Sequence, residues 1–437
     1  MSFTDIDDLV VDPLAAHVYE HGWQSWSPTG VYGVGETSAR PAEPWQHLMR
    51  FRPGVPLPSS GFQGEGLLVV DPGTGGSSRL YAAVDPTVDV PSVRARLESG
   101  RVVVSADRPA QVAVVQASGV GPALETYGDG QQAHLPLRRA PRVWCTWYQY
   151  FLDVTEADVV ENLDAIEHLD LPVDVVQVDD GWQAAVGDWH ELSPRFSSMR
   201  DLATRIRDGG RRAGLWVAPF TVAEGSALAA DHPEWLVPGG GVNWDGRLSG
   251  LDLTHPEVRD HLRRVFGTLR DAGFDYFKLD FLYTGALPGR RHDDVSGVEA
   301  YRSGLRLVRE AVGEDAYLLG CGAPMLPSVG LVDAMRVSPD TFHPGLADTE
   351  LRGRPAVEAR AWQQGRLWVN DADCLVARPS FHRREEWAGV VERFGGLRSF
   401  SDRVSALDTW GLATVRRLLA STPDPVPFAD LPEPYRR

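Results

Sequence analysis

Several things are scarce in this 437-residue sequence, and each scarcity removes a class of function. Three cysteines, Cys145, Cys321 and Cys374, are too few and too far apart for a disulfide framework or a zinc module. His190 and His292 have no ligand-spaced partners, so no metal and no other cofactor is expected. No apolar run is long enough to span a bilayer, and the N-terminus lacks a basic segment followed by an apolar core. No membrane partner is expected, and the cytoplasm is the default location. Basic residues are in deficit, 43 against 60 acidic, for a net charge of −17. Such a field repels phosphate backbones, so nucleic acid is not an expected partner, and it suits a neutral or cationic ligand. Neither a Gly-rich G-x-G-x-x-G after a strand nor a Walker A motif is present, which weakens nucleotide-binding versions of an open α/β sheet.

What is present divides by texture. Residues 1–140 read as a β-rich domain, with short alternating runs punctuated by Pro and Gly and no convincing long amphipathic helix. From 141 to about 405, strand-like runs alternate with helical patterns: RVWCTWYQY, VDVVQVDD, GLWVAPF, FDYFKLDF, AYLLGCG, AMRVSPD, RLWVND and GGLRSFSD. Helices are expected after Thr155, after His255-Pro256 and through VEAYRSGLRLVREAV. Eight such strands over roughly 250 residues fit a (β/α)₈ barrel. Residues 406–437 read as a short helix, TWGLATVRRLLA, and a proline-rich tail.

In a barrel of this kind the functional residues sit at the C-terminal ends of the strands. Here those ends are polar: Asp179-Asp180, Asp280, Cys321, Asp340, Asn370-Asp371 and Asp402. The run YFKLDF carries two charges in an apolar strand. Alternation places Tyr276, Lys278 and Asp280 on one face and Phe277, Leu279 and Phe281 on the other. An ammonium at Lys278 lowers the pKa of Asp280 and holds it ionised, as a nucleophile requires. A structural Lys–Asp pair closing the barrel fits this strand equally well. Asp179 and Asp180, before the turn at Gly181, are suited to accepting hydrogen bonds from two hydroxyls of a polyol. In AMRVSPDT, alternation groups Arg336, Ser338 and Asp340, and Pro339 ends the strand. Asp340 then emerges at the rim as a candidate proton donor, kept neutral by burial and by the charge of Asp280. Two carboxylates in one cleft are the machinery of glycoside hydrolysis, and the 14 tryptophans offer aromatic walls for a sugar.

At these residues the chain resembles the α-galactosidases of glycoside hydrolase family thirty-six. WCTWYQYFLDVT, VVQVDDGW, GLWVAPF, DYFKLDFL, LLGCGAP, MRVSPDT and WVNDADCL occur in that family's order, and HGWQSWSPTG resembles the tryptophan loop its N-terminal domain lends to the active site. The resemblance implies a (β/α)₈ barrel behind an N-terminal β-rich, sandwich-like domain; in a departure from the family, the C-terminal β-domain is expected to be largely absent. It implies Asp280 as nucleophile and Asp340 as acid/base of a retaining reaction on α-galactosides. It implies Asp179 and Asp180 as binders of the galactose 4- and 6-hydroxyls, Lys278 as a hydroxyl-binding lysine, and Cys321, Gly322 and Arg336 near O2. Trp26, Trp147, Tyr148, Trp189 and Trp216 match pocket walls. The partner implied is a small-molecule or oligosaccharide substrate; the oligomeric state is left open. Ala372 stands where the family usually has proline. An α-N-acetylgalactosaminidase or a galactosyl-transferring relative is the rival on the same fold. A Schiff-base lyase using Lys278 is the rival from another class.

Overall fold

The computed structural model describes residues 2–40, 44–132, 137–342, 351–432 and 435. Two antiparallel sheets begin the chain. One has four strands, in the order Thr4–Val10, Arg101–Ala106, Ser92–Glu98, Phe62–Glu65; the other has five, in the order Gly30–Gly33, His17–Glu20, Leu67–Asp71, Ser78–Ala83, Val112–Ala117. Val18, Leu68, Val70 and Tyr81 of the second sheet pack with Val93, Val102 and Val104 of the first. The alternate residues Tyr19, Leu67, Val69 and Leu80 belong to the core shared with the rest of the molecule. A strand apolar on both faces is what a sheet sandwiched between two layers requires.

Residues 120–132 depart from the β-rich expectation: Val120–Gln132 is a helix. Pro122 and three glycines hide it, since they lower helix propensity. Tertiary packing decides instead, with Val120, Ala123, Leu124 and Tyr127 at helical spacing against the shared core. A β-carbon at Gly128 would stand 2.7 Å from Arg366, so the glycine permits the helix's close approach. A second helix, Pro44–Arg50, was equally absent from the sequence pattern.

The eight expected strand runs each coincide, wholly or in part, with a strand of one parallel sheet. We number them β1 (Arg142–Cys145), β2 (Val175–Val178), β3 (Arg212–Val217), β4 (Phe274–Leu279), β5 (Tyr317–Gly320), β6 (Ala334–Arg336), β7 (Val369–Asp371) and β8 (Arg398–Phe400). Their order runs from β7 down to β1 and then β8. A parallel bridge between Leu375 and Phe400, together with Gly396 and Leu397 donating to the Asn370 carbonyl, joins β7 to β8. Tyr276, Val143, Val175, Tyr317, Leu319 and Val369 fill the interior. Phe277 and Leu279 pack outward, Phe277 against Phe266 of the helix Pro256–Ala272. The expected helix starts are present. Thr155 caps Glu156–His168 in a capping box with Asp158, and Ser296 does the same for Gly297–Val312 with Glu299.

Two features carry the N-terminal region and an insertion to the mouth of the barrel. The loop His21–Gly30 is pinned by Arg360, whose buried guanidinium donates to the carbonyls of Ser25 (2.6 Å), Gln24 (2.9 Å) and Val337 (2.8 Å) and to Thr29 Oγ1 (2.8 Å). Burial pulls this arginine down to about 10, and a fan of neutral acceptors takes the place of a carboxylate. Between β3 and β4, a three-stranded sheet of Thr221–Ala223, Leu236–Asn243 and Gly246–Leu251 turns at Trp244 and Asp245, both with positive φ (46° and 59°). The glycine-rich VPGGGVNWDGRLSG gave no strand signal to predict it.

Candidate active site

The strand ends converge on one cavity of about 730 Å³. Its lining includes Asp179, Asp180, Lys278, Asp280 and Asp340, with Trp26, Trp147 and Trp216 among its walls. Each carboxylate is held differently, and the register explains how.

Asp280 follows β4 immediately. Its Oδ2 accepts from Trp216 Nε1 at 3.0 Å and its Oδ1 from the Phe281 amide at 2.8 Å. Trp216 of β3 lies beside Lys278 in the ladder, so one pair of neighbouring strands supplies the carboxylate, its tryptophan donor and the ammonium. Lys278 Nζ stands 3.9 Å from Asp280 but only 3.0 Å from Asp179 Oδ2. The ammonium thus spans two carboxylates, with Asp179 the nearer. Burial raises Asp280 above the usual carboxylate range. Lys278, Cys321, Trp216 and the Phe281 amide all pull the other way without cancelling it. This corrects the sequence expectation of a net lowering: desolvation outweighs the ammonium. Lys278 is itself desolvated, but Asp179 and Asp280 more than offset that and hold it well above its ordinary value.

Asp179 Oδ2 also accepts from Gln177 Nε2 (2.6 Å) and contacts Cys145 Sγ (3.3 Å). Asp180 accepts from Gln183 Nε2 at 2.6 Å and from Trp244 Nε1 at 2.8 Å. Burial, aided by the charges of Asp179 and Asp280, pushes Asp180 up to about 7.

Asp340 lies four residues beyond β6, because that strand ends at Arg336 rather than at Pro339 as alternation implied. Its side chain is 23% exposed, and Arg336 Nη2 lies 2.8 Å from Oδ1. It is thus only partly buried, and an arginine rather than Asp280 is its nearest charged neighbour. Trp147 Nε1 donates to Oδ2 at 3.3 Å. The same Arg336 guanidinium is 2.6 Å from Asp373, which burial pushes up to about 6.

Not every residue expected at the wall is there. Tyr148 lies behind it: its hydroxyl donates to Asp373 and accepts from the Thr341 amide at 2.9 Å. Trp189 is a layer back, its ring 6.0 Å from both Trp182 and Trp216. Arg336 and Cys321 are buried beneath the floor, acting on the cavity through Asp340 and Asp280. Gly322 (φ +51°) is in the left-handed region, and a β-carbon there would meet Trp26 at 2.9 Å, so the glycine lets the tryptophan loop close over the barrel. Phe281, expected to face outward, has φ +50° and turns into the cavity, 4.9 Å from the Trp26 ring and 4.6 Å from that of Trp244. Alternation ceases to apply once β4 ends. Sequence reasoning missed Trp244, Arg50, Arg352 and Asp373. Only the last carried a signal, the acidic cluster NDAD.

Among the described residues no three His, Cys, Asp or Glu side chains are grouped to hold a metal ion, and no helix is long and apolar enough to cross a membrane. The chemistry on offer in the cavity is that of paired carboxylates with tryptophan walls at the mouth of a (β/α)₈ barrel. That is the equipment of a glycoside hydrolase. A melibiase family model matches residues 107–300 of the chain. The chain resembles an α-galactosidase from Thermus thermophilus, solved with p-nitrophenyl α-D-galactopyranoside, at 28% identity and a TM-score of 0.78, covering 96% of this chain and 89% of that one. Over 171 residues it is 31% identical to a bifunctional α-galactosidase/sucrose kinase of Mediterraneibacter gnavus, covering 35% of this chain and 18% of that protein. The matched segment of a Pediococcus pentosaceus α-galactosidase, 27% identical over 172 residues and 36% of this chain, is 23% of that protein. The chain thus spans about a fifth of the length of these curated relatives.

Proposed function

We propose that this chain is an α-galactosidase that removes terminal α-linked galactose from oligosaccharides or glycoconjugates with retention of configuration. The observation that carries the reading is the placement of Asp280 and Asp340, which reach one cavity from the ends of β4 and β6. Asp280 attacks the anomeric carbon as the glycosidic bond breaks, and Asp340 gives its proton to the departing oxygen. Water then attacks the galactosyl–Asp280 ester, its proton passing to Asp340, and Asp280 leaves as a carboxylate. The Trp216 and Phe281 donors aim Asp280, and Lys278 offsets its charge.

Asp179 and Asp180 are the hydroxyl binders. Trp244 Nε1 donates to Asp180 Oδ2, so the indole and a sugar hydroxyl would share or compete for that oxygen. The likeness to an enzyme solved with an α-galactoside supports galactose as the unit recognised. A Schiff-base role for Lys278 requires a neutral amine, whereas two carboxylates keep this one charged.

The direct test is hydrolysis of p-nitrophenyl α-galactoside followed by NMR. The first galactose to appear is expected to be the α anomer; β-galactose appearing first would remove the double displacement. A second expectation concerns pH. The acid limb of kcat/KM reports the free enzyme's nucleophile. Lys278 is the strongest influence lowering Asp280, so Lys278→Met is expected to move that limb to higher pH. The position of the limb does not depend on how much of the variant is folded. A limb that stays in place would detach Lys278 from Asp280.

A further inference from the structure

The upper part of the cavity is unlike its acidic floor. Two arginines line it: Arg50, the last residue of the helix Pro44–Arg50, and Arg352, two residues before the helix Arg354–Ala359. Arg50 is held in place through its backbone. Ser27 Oγ donates to its carbonyl, and Gln24 Nε2 donates to the carbonyl of Met49. Both donors belong to the loop that brings Trp26 into the same cavity, so the arginine and the tryptophan wall are positioned together.

Neither guanidinium has an ion-pair or hydrogen-bond partner among the described residues. Other arginines nearby do: Arg336 binds Asp340 and Asp373, and Arg378 binds Asp402. Arg50 is half-buried; burial first, then the charge of Arg352, pulls it below its ordinary value. The exposed Arg352 is therefore close enough for its charge to act on the half-buried Arg50. The floor carboxylates are engaged with their own donors. Asp245, at the hairpin turn, also lines the cavity but makes no ion pair with either arginine. In a chain of net charge −17, two unpaired cations lining one cavity, Arg50 half-buried and Arg352 exposed, give that part of the cavity a local attraction for an anionic group. The bulk charge favours neutral or cationic ligands, and the mouth of this cavity has the opposite local sign.

We propose that Arg50 and Arg352 form an aglycone subsite for an oxyanion, so that the preferred substrate is an α-galactoside whose aglycone carries a phosphate or carboxylate. The planar guanidinium fork suits either group and holds its charge at any working pH. The galactosyl unit occupies the acidic floor, and the charged end of the aglycone lies between the arginines. This rests on the α-galactosidase reading and adds the class of group attached to the sugar.

The test uses α-galactosyl glycerol, its phosphate ester on the far hydroxyl, and an α-galactosyl glycerate, beside p-nitrophenyl α-galactoside as the reference. At low ionic strength, kcat/KM for at least one charged galactoside is expected to exceed that for the neutral one about tenfold. The preference should shrink in salt that screens exposed charges. Arg50→Gln and Arg352→Gln should each lower the charged-to-neutral ratio several-fold, and Arg352→Lys should keep most of it. The ratio cancels differences in the amount of folded enzyme. Comparing the phosphate with the glycerate identifies which oxyanion is taken. A wild-type ratio near one, with p-nitrophenyl α-galactoside still hydrolysed, overturns the subsite and leaves the α-galactosidase reading standing. So does a preference that neither Gln variant alters. Failure to hydrolyse any of the four galactosides overturns both.

Discussion

Asp280→Ala is expected to lose about 10⁴-fold or more of the hydrolysis of p-nitrophenyl α-galactoside, and to recover product when azide is supplied. The first step needs an anion at Asp280, and alanine leaves a hole where that anion stood. A small nucleophile entering the hole attacks from the same face, so the rescued product is β-galactosyl azide, inverted relative to the substrate. The loss should not come from unfolding. Burial raises the carboxyl of Asp280 in the folded state. Across the range between its unfolded and folded values the native state binds more protons, so its contribution to stability falls as pH rises. Removing it relieves that cost at neutral pH, and the variant's denaturation midpoint should lie close to wild type. A variant that keeps full activity, or that yields only the α-azide, contradicts the assignment.

Asp340→Ala is expected to behave differently, and the difference identifies its role. A proton donor matters in proportion to how poor the leaving group is. For α-galactosides with a sugar aglycone, kcat/KM should fall by about 10²–10⁴-fold. For p-nitrophenyl α-galactoside, whose phenolate leaves without a proton, the fall should be much smaller. Release of the galactosyl-enzyme then becomes slow for want of a base. Azide, which needs no base, should restore turnover and give α-galactosyl azide. Equal losses on both substrates would mean that Asp340 acts only by holding Arg336, which it contacts at 2.8 Å.

How much of this was legible in the sequence follows from the physics of each segment. The barrel strands were, because each is a short apolar run ended by a polar residue, and a parallel sheet covered by helices needs both. Thr155 and Ser296 cap their helices through local side-chain hydrogen bonds, the kind of signal that sequence carries directly. Lys278 and Asp280 were found by alternation along their strand, and Asp179 and Asp180 as adjacent carboxylates ending a strand before the turn at Gly181.

The reading lost its grip where alternation ends or where a distant element decides. Phe281 turns inward on a left-handed backbone that no periodicity signals. The charge around Asp280 depends on how closely Asp179, 99 residues from Lys278 in sequence, shares that lysine. Val120–Gln132 is helical despite its composition, because the barrel's flank gives its apolar stripe a partner. Trp244 and Arg50 reach the cavity from a glycine-rich hairpin and a seven-residue helix, neither of which has enough local preference to be seen beforehand.

The central claim is that Asp280 forms a covalent bond to the sugar. Incubation with an activated 2-deoxy-2-fluoro-α-galactoside slows both steps and lets the intermediate accumulate. Peptide mapping by mass spectrometry should then find one fluorogalactosyl group per chain, on the Asp280 side chain within DYFKLDFLY. A label on Asp340 or Asp179, or time-dependent inactivation with the Asp280 peptide unmodified, would contradict the account.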